Sequence, residues 1–341
     1  MTRTDIRLAL PSKGALYQDT FDFLTNCGLT IFRPNPRQYE ATMPGLPGVS
    51  ILFQRPSDIV VGVEQGTMDF GITGLDIVSE KAFGSDNILA LHDALGYGPC
   101  RLHLAVPEAS PITSMAELAA WGKELGENGR LLRIATKFPN LTGQFLDQHQ
   151  VPNYTLVTVE GTLEIAPAIG YADLISDLVS SGITLRDNHL RPLADGQILA
   201  SQAALIANKQ ALQERPEVLQ TARQLLEYIE AHLRAKESHI VTANIRGESP
   251  EAIAAAMFEQ PHIGGLQGPT IAHVVGREGL DNGLSWYAIN IVVHKSDLFA
   301  AIRELRAIGG SGVIVTPCTY IFEEEPVRYK AMLANVVRSG A

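Results

Sequence analysis

Two acidic residues interrupt an apolar stretch near the middle of the chain, in the segment ADLISDLVSSGITL at residues 172–185. Asp173 and Asp177 are four residues apart, so their side chains share a face whether the segment forms a strand or a helix. Two neighbouring carboxylates are costly to bury unless a cation or hydrogen-bond donors lie between them. Sugar hydroxyls and a magnesium ion both meet this need, so the pair predicts a site for one or both of them.

The apolar stretch ends in a loop that contains hydroxyl-bearing residues and a glycine. The loop consists of Ser180, Ser181, Gly182, Ile183 and Thr184. Successive backbone N–H groups of such a loop can form a concave site for a phosphate, and the hydroxyls add donors. Together with the acids, the loop predicts a site for a phosphorylated ribose. The alternative is a strand whose acids face solvent, followed by an ordinary turn rich in Ser and Gly.

Short apolar runs alternate with helical patterns through the first 208 residues. The run from Ile6 to Leu10 precedes Pro-Ser-Lys-Gly and then apolar residues at helical spacing, which predicts a strand, a loop and a helix. Further strands are predicted at 59–62, 70–73, 101–106, 132–136, 155–159 and 172–179. This alternation predicts an α/β architecture with largely parallel sheets, which bind ligands at the carboxyl ends of their strands.

A different pattern follows the first 208 residues. Apolar residues between 218 and 233 form one stripe of a predicted connecting helix. Beyond it, strands are predicted at 239–245, 270–275, 284–293 and 312–316, with helices at 250–258 and 295–308. This βαββαβ order predicts a ferredoxin-like, or ACT-like, module. Such modules commonly bind small ligands or pair with themselves, but the fold alone establishes neither.

The composition is that of a globular protein of two or three domains, with 341 residues of which 45% are hydrophobic and 19% charged. The net charge of -10 argues against a general surface for nucleic acids or anionic membranes. No apolar run approaches the roughly 18 residues of a membrane span. The sparse cysteines lack CxxC spacing and indicate reduced thiols, so we expect a cytoplasmic protein with no membrane or nucleic-acid partner.

Six motifs give the chain a family resemblance. They are LPSKG (10–14), RPSDI (55–59), DFGITGLD (69–76), LGYGPCRL (95–102), IATKFPNLT (134–142) and EGTLEIAPAIGYADLISDLVSSGITLRDNHL (160–190). Each short motif is weak alone, but their common order argues against a chance match. The chain resembles the ATP phosphoribosyltransferases that open histidine biosynthesis. Its C-terminal region is similar in kind to the regulatory module of that family's long form.

The resemblance implies a reaction, a fold and partners. Phosphoribose would pass from phosphoribosyl pyrophosphate to the adenine ring of ATP, with release of pyrophosphate and with Mg²⁺ as cofactor. The catalytic part would be a bilobal α/β fold of the type II periplasmic-binding-protein kind, with residues 1–98 and 188–236 in lobe I and 99–187 in lobe II. Residues 237–341 would form a regulatory ferredoxin-like domain that binds histidine as inhibitor. A homo-oligomer, from dimer to hexamer, is the expected assembly.

The resemblance also implies roles for individual residues. The expected catalytic residues are Asp173, Asp177, Lys13 and Glu160. The two aspartates would hold the ribose hydroxyls and Mg²⁺, and the 180–184 loop would bind the 5-phosphate. Further expected substrate contacts are Arg55, Asp93, Arg101 and Lys137, and expected regulatory contacts are Thr270, His273 and Ala288. Glu160 and Glu164 could help hold metal or ribose, although a solvated turn is the favoured expectation for Glu164. The histidines are expected to have structural or surface roles, and an exposed solubilising role remains an alternative for each cation.

Two positions depart from the family pattern. Ala15 stands where the family usually has arginine, and Leu75 stands where it often has lysine. Both changes bear on ATP binding more than on the phosphoribose loop. Two other hypotheses therefore stay open at this point. One is an enzyme like prephenate dehydratase, which joins a similar catalytic fold to a ferredoxin-like sensor but does not need the 173–184 segment. The other is a ligand-binding protein that lacks catalysis.

Overall fold

The computed structural model of the protein describes residues 4–35, 37–158, 161–275 and 285–338. The chain forms two compact units. The first comprises the residues up to 226 together with the helix that begins at residue 327, and the second comprises residues 227–326. No helix within the described residues has the length and apolar character needed to cross a lipid bilayer.

The first unit begins with lobe I and continues into lobe II. The elements of lobe I are β1 (Ile6–Pro11), α1 (Leu16–Asn26), β2 (Glu40–Thr42), β3 (Val49–Gln54), α2 (Pro56–Glu64), β4 (Phe70–Gly74), α3 (Leu75–Lys81) and β5 (Ile88–His92). Those of lobe II are β6 (Cys100–Pro107), α4 (Met115–Glu127), β7 (Leu132–Thr136), α5 (Pro139–Gln148), β8 (Tyr154–Thr158), β9 (Leu174–Val179), α6 (Ile183–Asp187) and β10 (Leu190–Ser201). The chain then returns to lobe I with β11 (Ala203–Asn208) and α7 (Lys209–Glu214), which lead into α8 (Pro216–Lys236).

Each lobe has its own sheet. Six described strands form the sheet of lobe I in the order β2-β3-β1-β4-β11-β5, and five form that of lobe II in the order β10-β6-β9-β7-β8. In lobe I, β1 is parallel to β3 and β4, and in lobe II β7 is parallel to β8 and β9. The chain passes between the lobes at residues 93–99 and again at residue 202, which we call the two crossings. The predicted bilobal α/β architecture is therefore confirmed.

The central strands of lobe I are apolar on both faces. Consecutive residues Leu8, Ala9 and Leu10 of β1 are completely buried, as are Phe70 and Ile72 of β4. A parallel strand that is covered on both faces has no solvent-facing positions for polar residues. This explains why Leu8, Ala9 and Leu10 follow one another without a polar residue and why β4 carries no charged residue.

One predicted strand is a helix. Residues 59–62 lie inside α2, where Ile59, Val60 and Val63 are buried at helical spacing. Pro56 stands in the first turn, where its missing N–H is not needed. A short apolar run does not by itself distinguish a strand from a buried helix. Conversely, the alanine-rich sequence of β11 has low strand propensity, and the sequence does not predict this strand.

The predicted boundary of lobe II at residue 187 is wrong. Strand β10 pairs with β6 in antiparallel orientation, so residues 190–201 belong to the sheet of lobe II. The chain returns to lobe I only at β11, which pairs with β4 and β5. A strand pattern in the sequence does not reveal which sheet the strand joins, and the boundary depended on that choice.

The second unit has the predicted βαββαβ order. Its elements are β12 (Ser238–Gly247), α9 (Pro250–Phe258), β13 (Thr270–His273), β14 (Ser285–His294), α10 (Leu298–Ala307) and β15 (Ser311–Pro317). The strand order β13-β14-β12-β15 is antiparallel throughout, as in ferredoxin-like folds. Alternate residues such as Val241, Ala243 and Ile245 of β12 are buried in a core beneath the two helices. The ferredoxin-like prediction is thus confirmed.

The predicted C-terminal boundary of this unit is corrected. Helix α11 (Val327–Arg338) groups with the first unit, although the sequence analysis assigned residues 237–341 to one regulatory domain. Arg328 Nη1 lies 2.8 Å from Asp93 Oδ1, and the Arg223 guanidinium lies over the Tyr329 ring. The chain therefore leaves the first unit through α8 and returns to it in α11.

A buried ion pair fixes the start of α8 to lobe I. Asp69 is completely buried, and its carboxylate accepts hydrogen bonds from Arg215 Nη1 and from the Arg7 N–H, both at 2.8 Å. On its exposed side Arg215 also contacts Glu217 at 2.9 Å. Removing the arginine would leave a buried carboxylate without its cation, which is much more costly than losing a surface contact.

We predict that Arg215→Met lowers the free energy of unfolding of the first unit by about 3–5 kcal/mol. Glu217→Gln, which removes the exposed partner of the same arginine, should have little effect. Urea unfolding monitored by circular dichroism measures both variants. Equal effects in the two variants would show that the buried pair does not anchor α8.

Candidate active site

Three parallel strands of lobe I end at the same edge of their sheet. Lys13 lies two residues beyond β1, Arg55 follows β3 and Leu75 follows β4. The Ser12 N–H donates a hydrogen bond to the Gln54 carbonyl at 2.8 Å, which holds the first two strand ends together. The two cations predicted to contact substrate are therefore neighbours at this edge, as expected for carboxyl ends of parallel strands.

A second set of predicted residues meets at the carboxyl ends of β7 and β9 in lobe II. Thr136 is aligned with Ser176 in this parallel pair, so Lys137 and Asp177 occupy the next aligned positions. On the other side of β9, the antiparallel strand β6 places Arg101 opposite Val179 and His103 opposite Asp177. Opposed residues on antiparallel strands have their Cβ atoms about 5 Å apart. Asp177 thus has Lys137 beside it on β7 and His103 beside it on β6, with Arg101 two residues away along β6.

These polar residues continue a row of core residues. Ala135 and Ile175 lie two residues before Lys137 and Asp177, and Ala105 lies two residues after His103 on the antiparallel strand. All three pack in one buried cluster with Leu163 and Ala166. Because strand side chains alternate between faces, Asp177 points toward the same face as Ile175. The segment that carries Leu163 covers this face. It therefore brings Glu164 over the strand ends.

Asp177 has a perturbed acidity. Burial raises the pKa of its carboxyl group above the ordinary value, and the neighbouring Glu164 raises it further. The Leu178 N–H, which donates to Asp177 Oδ1 at 2.8 Å, and the Lys137 charge oppose this shift. The sequence analysis expected Glu164 in a solvated turn. Its position four residues after Glu160 within the family motif was the only signal that it belongs near the acids.

His103 is a further residue that the sequence analysis did not select. Its ring Nδ1 lies 3.0 Å from the Leu104 carbonyl, which can only accept, so Nδ1 carries the proton. Burial lowers the pKa of His103, and the Arg101 charge also lowers it, while the hydrogen bond to Leu104 opposes the shift. A neutral His103 leaves the charge of Asp177 uncompensated from this side.

Asp173 does not belong to this cluster, and the prediction that both acids serve one site is wrong. It shares a face with Asp177, but four strand residues separate the two by about 13 Å. Arg133 binds the Asp173 carboxylate through its backbone N–H at 2.8 Å and through Nη2 at 2.9 Å. Burial opposes ionisation of Asp173, but the Arg133 hydrogen bonds outweigh burial and hold its pKa below the ordinary value. Asp173 is therefore a partner of Arg133 at the amino end of β9.

The predicted phosphate loop follows β9 directly. Gly182 adopts a left-handed backbone conformation with φ 73°, which favours glycine, and it precedes the short helix α6. The side chains of Ser180, Ser181 and Thr184 are exposed. First-turn N–H groups of a helix lack intrahelical acceptors, so the loop offers both backbone and hydroxyl donors.

Two cavities flank the crossings of the first unit. One of about 310 Å³ is lined by residues that include Lys13, Ala15, Asp76 and Ser180. The other, of about 540 Å³, is lined by residues of both lobes, among them Leu75, Asp93, Arg101, Ser180 and Ser201. Ser180 belongs to both linings, as do Pro99 and Cys100, so the first residue of the predicted phosphate loop lies between the two cavities. Residues of lobe I and lobe II therefore face common spaces.

The two departures from the family pattern lie on these walls. Ala15 lines the smaller cavity and Leu75 the larger one, so neither supplies the cation that the family pattern has there. Asp93 lines the larger cavity while it is paired with Arg328. Glu160 lies outside the described residues.

A metal site built from protein ligands alone is not found. Among the described residues, no group of three or more His, Cys, Asp and Glu side chains is arranged so that it could hold an ion. The carboxylates of Asp177 and Glu164 are the acids that the site itself brings together. Magnesium is commonly bound by one or two carboxylates together with substrate phosphates.

Comparison with known proteins identifies relatives along nearly the whole chain. The family described as HisG, ATP phosphoribosyltransferase, matches residues 55–231, and its C-terminal domain family matches residues 235–320. ATP phosphoribosyltransferase 2, chloroplastic, of Arabidopsis thaliana is 43% identical over 98% of this chain and 81% of the relative. ATP phosphoribosyltransferase of Halorubrum lacusprofundi is 36% identical over 91% of this chain and 98% of the relative.

A solved structure shares the fold. It is the ATP phosphoribosyl transferase (HisG:HisZ) complex from Thermotoga maritima, with a TM-score of 0.51 and 25% sequence identity. The match covers 66% of this chain and 98% of that chain.

The opposite environments of the two aspartates predict opposite effects on stability. Asp173→Asn should lower the free energy of unfolding by about 1–3 kcal/mol, because charged hydrogen bonds to Arg133 are lost. Asp177→Asn should raise it at neutral pH, because the folded state no longer has to hold a carboxylate whose ionisation is disfavoured. Urea unfolding at several pH values measures both effects.

The pH dependence of each effect has a defined sign. A raised folded-state pKa means that the cost of Asp177 is present at neutral pH and disappears as the group is protonated on acidification. The benefit of Asp173 is also present at neutral pH and is lost as the pH falls through its lowered pKa. Destabilisation by Asp177→Asn at neutral pH would contradict the assignment of Asp177 as an under-satisfied acid.

Proposed function

Because the chain belongs to the ATP phosphoribosyltransferase family, we propose that its substrates bind around Asp177, Lys137 and the 180–184 loop. The enzyme transfers phosphoribose from phosphoribosyl pyrophosphate to the adenine ring of ATP, the first step of histidine biosynthesis. This membership replaces the prephenate dehydratase and non-catalytic hypotheses. The observation that carries the proposed site is the meeting of Asp177, Glu164 and Lys137 beside a loop whose first residue, Ser180, lines both cavities.

The reaction calls for electrostatic stabilisation more than for a protein nucleophile. As the bond to pyrophosphate breaks, the ribose carbon gains positive character and the leaving group gains negative charge. Asp177 would accept hydrogen bonds from the ribose hydroxyls and face the positive carbon. Its half-buried position strengthens both interactions, since the local dielectric is lower than that of water.

The neighbouring cations and hydrogen-bond donors would bind the negatively charged groups of the substrates. Lys137, aligned with Asp177 on the next strand, would contact the pyrophosphate leaving group. The hydroxyls and N–H groups of Ser180, Ser181, Gly182, Ile183 and Thr184 would hold the 5-phosphate. Lys13 and Arg101 would contact the ATP phosphates or the pyrophosphate from the two cavity walls. Arg55 would contact them from the neighbouring strand end. Asp93, which lines the larger cavity, remains a proposed substrate contact, and Glu160 remains a proposed catalytic residue on its sequence motif alone.

Magnesium would be held mainly by substrate phosphates. Asp177 and Glu164 are the carboxylates available to complete such a site, whereas Asp173 is committed to Arg133. When bound, the ion would neutralise charge on the pyrophosphate group. The chain's own residues would orient the ribose and the two phosphate-bearing substrates. Holding the reactants in this alignment accelerates the reaction, because the step becomes effectively unimolecular.

The second unit is proposed to bind histidine as a feedback inhibitor. A cavity of about 480 Å³ in this unit has polar lining residues that include Thr270, Asn290 and the ion pair of Arg234 with Glu323. Paired charges of opposite sign complement the ammonium and carboxylate groups of a free amino acid. Ala288 and His273 lie on the adjacent strands β14 and β13, opposite Ala272 and Tyr287. The edge strands β13 and β15 would support the proposed homo-oligomer.

We predict that Asp177→Asn lowers kcat/KM about 10²–10³-fold, the usual effect of removing one preorganised electrostatic group. Asp173→Asn should retain far more activity once its loss of stability is allowed for. Thr184→Val should weaken binding of phosphoribosyl pyrophosphate by about 1–3 kcal/mol. Transfer of label from phosphoribosyl pyrophosphate to ATP, with pyrophosphate removed, measures all three. Near-wild-type kinetics in Asp177→Asn and Thr184→Val would place the site elsewhere.

Histidine should inhibit the intact enzyme at millimolar or lower concentration, which corresponds to at least about 4 kcal/mol of binding. Because coupling between sites is reciprocal, substrates should weaken histidine binding by the same factor. Calorimetric titration of the intact enzyme with and without substrates tests this. Thr270→Val should weaken histidine binding while the uninhibited rate stays unchanged. An active enzyme that neither binds nor responds to histidine would remove the regulatory proposal and leave the catalytic one.

A further inference from the structure

A buried carboxylate of lobe I is bonded to a helix of lobe II. Glu80, in the last turn of α3, is 4% exposed, and its two oxygens accept hydrogen bonds from the N–H groups of Asn140 and Leu141, each at 3.0 Å. The Asn140 Nδ2 also donates to the Glu80 carbonyl at 3.2 Å. First-turn N–H groups carry partial positive charge and lack intrahelical acceptors, so they favour a carboxylate. Phe138, which precedes α5, supplies no side-chain cap.

The other end of α3 is bonded to the second crossing. The Asp76 N–H donates to Ser201 Oγ at 2.9 Å, and the Ser201 hydroxyl donates to Asp76 Oδ1 at 2.7 Å. The Leu75 N–H donates to the Gln202 carbonyl at 2.9 Å. Helix α3 therefore connects the point where the chain re-enters lobe I to the first turn of α5 in lobe II.

Helix α5 begins two residues after Lys137, so its first turn sets the direction of the Lys137 backbone. Buried hydroxyls hold the same connection from within lobe II. The Phe138 N–H donates to Thr136 Oγ1 at 2.9 Å, and the Thr142 and Ser176 hydroxyls lie 2.8 Å apart. Glu80 is the part of this arrangement that comes from the other lobe.

We propose that Glu80 is a positioning residue of the enzyme. By capping α5 across the two lobes, it holds Lys137 in its aligned position beside Asp177. It also fixes the two lobes relative to each other on either side of the two cavities, which together we call the cleft. The inference rests on the proposed role of Lys137 at the pyrophosphate group. It assigns Glu80 no contact with substrate, and the sequence around it, SEKAF, carries no motif that would have indicated it.

The first test compares neutral and charged replacements at this position. Glu80→Gln keeps the side-chain shape but turns one acceptor into a donor that faces an N–H group. It should lower kcat/KM for phosphoribosyl pyrophosphate about 10–100-fold, the effect of a misplacement near 1 Å. Lys81→Gln, at the next and exposed residue of the same helix, should match the wild type. Glu80→Asp, which keeps a carboxylate that is one methylene shorter, should fall between them, and it replaces the Gln variant if that variant does not fold.

The second test asks whether Glu80 acts through Lys137. In a double-mutant cycle, Glu80→Gln should cost little further activity in a Lys137→Met background, since the group that it positions is already gone. Losses that multiply, or wild-type activity in Glu80→Gln, would overturn the inference. Activity that is lost in Asp177→Asn but kept in both Lys137→Met and Glu80→Gln would overturn it while leaving the proposed site intact. Activity kept in all of them would remove the proposed site itself.

Discussion

A carboxylate that leaves water must receive hydrogen-bond donors or a cation, and the way this requirement is met separates the structural acids of the first unit from the acid that we propose to bind substrate. Asp69 has Arg215 and Asp173 has Arg133. Within the described part of the chain, Asp177 receives one backbone N–H at 2.8 Å, although burial and a second acid act against its ionisation. A desolvated acid with too few protein donors is a candidate for binding substrate donors.

The same requirement joins the two lobes. Each end of α3 carries a buried acid, Asp76 and Glu80, whose donors come from Ser201 at the second crossing and from the first turn of α5. For both acids these hydrogen bonds come from outside α3. Separation of the lobes would replace the bonds between Glu80 and α5 by bonds to water, so this contact couples the stability of the two lobes. The walls of the cleft are set by these polar contacts and by the two crossings together.

Local patterns in the sequence predicted the α/β part and the ferredoxin-like module, and the family resemblance implied the bilobal arrangement. The phosphate-binding role of the 180–184 loop stays a prediction. The sequence could not separate Asp173 from Asp177. Strand periodicity places both on one face, but only the pairing of β9 with its neighbours shows that one end meets Arg133 and the other meets the cleft. The roles of Glu80 and His103 could not be predicted from the sequence for the same reason, because the residues that they lie against, on α5 and β9, are distant along the chain. Lobe membership of β10 likewise depends on pairing and not on composition.

On the proposed assignment, the electrostatics of the site favour the transition state over the bound substrate. Glu164 and Asp177 repel each other in the free enzyme, which contributes to the raised pKa of Asp177. Positive character on the ribose carbon relieves that repulsion, and it does so only while the bond to pyrophosphate is breaking. Lys137, which opposes the shift at Asp177, would gain a stronger partner in the leaving group at the same moment. Interactions that strengthen only at this stage raise kcat without tightening the ground-state complex. On the proposed assignment, the repulsion between the two acids would therefore contribute to catalysis, at a cost in stability of the free enzyme.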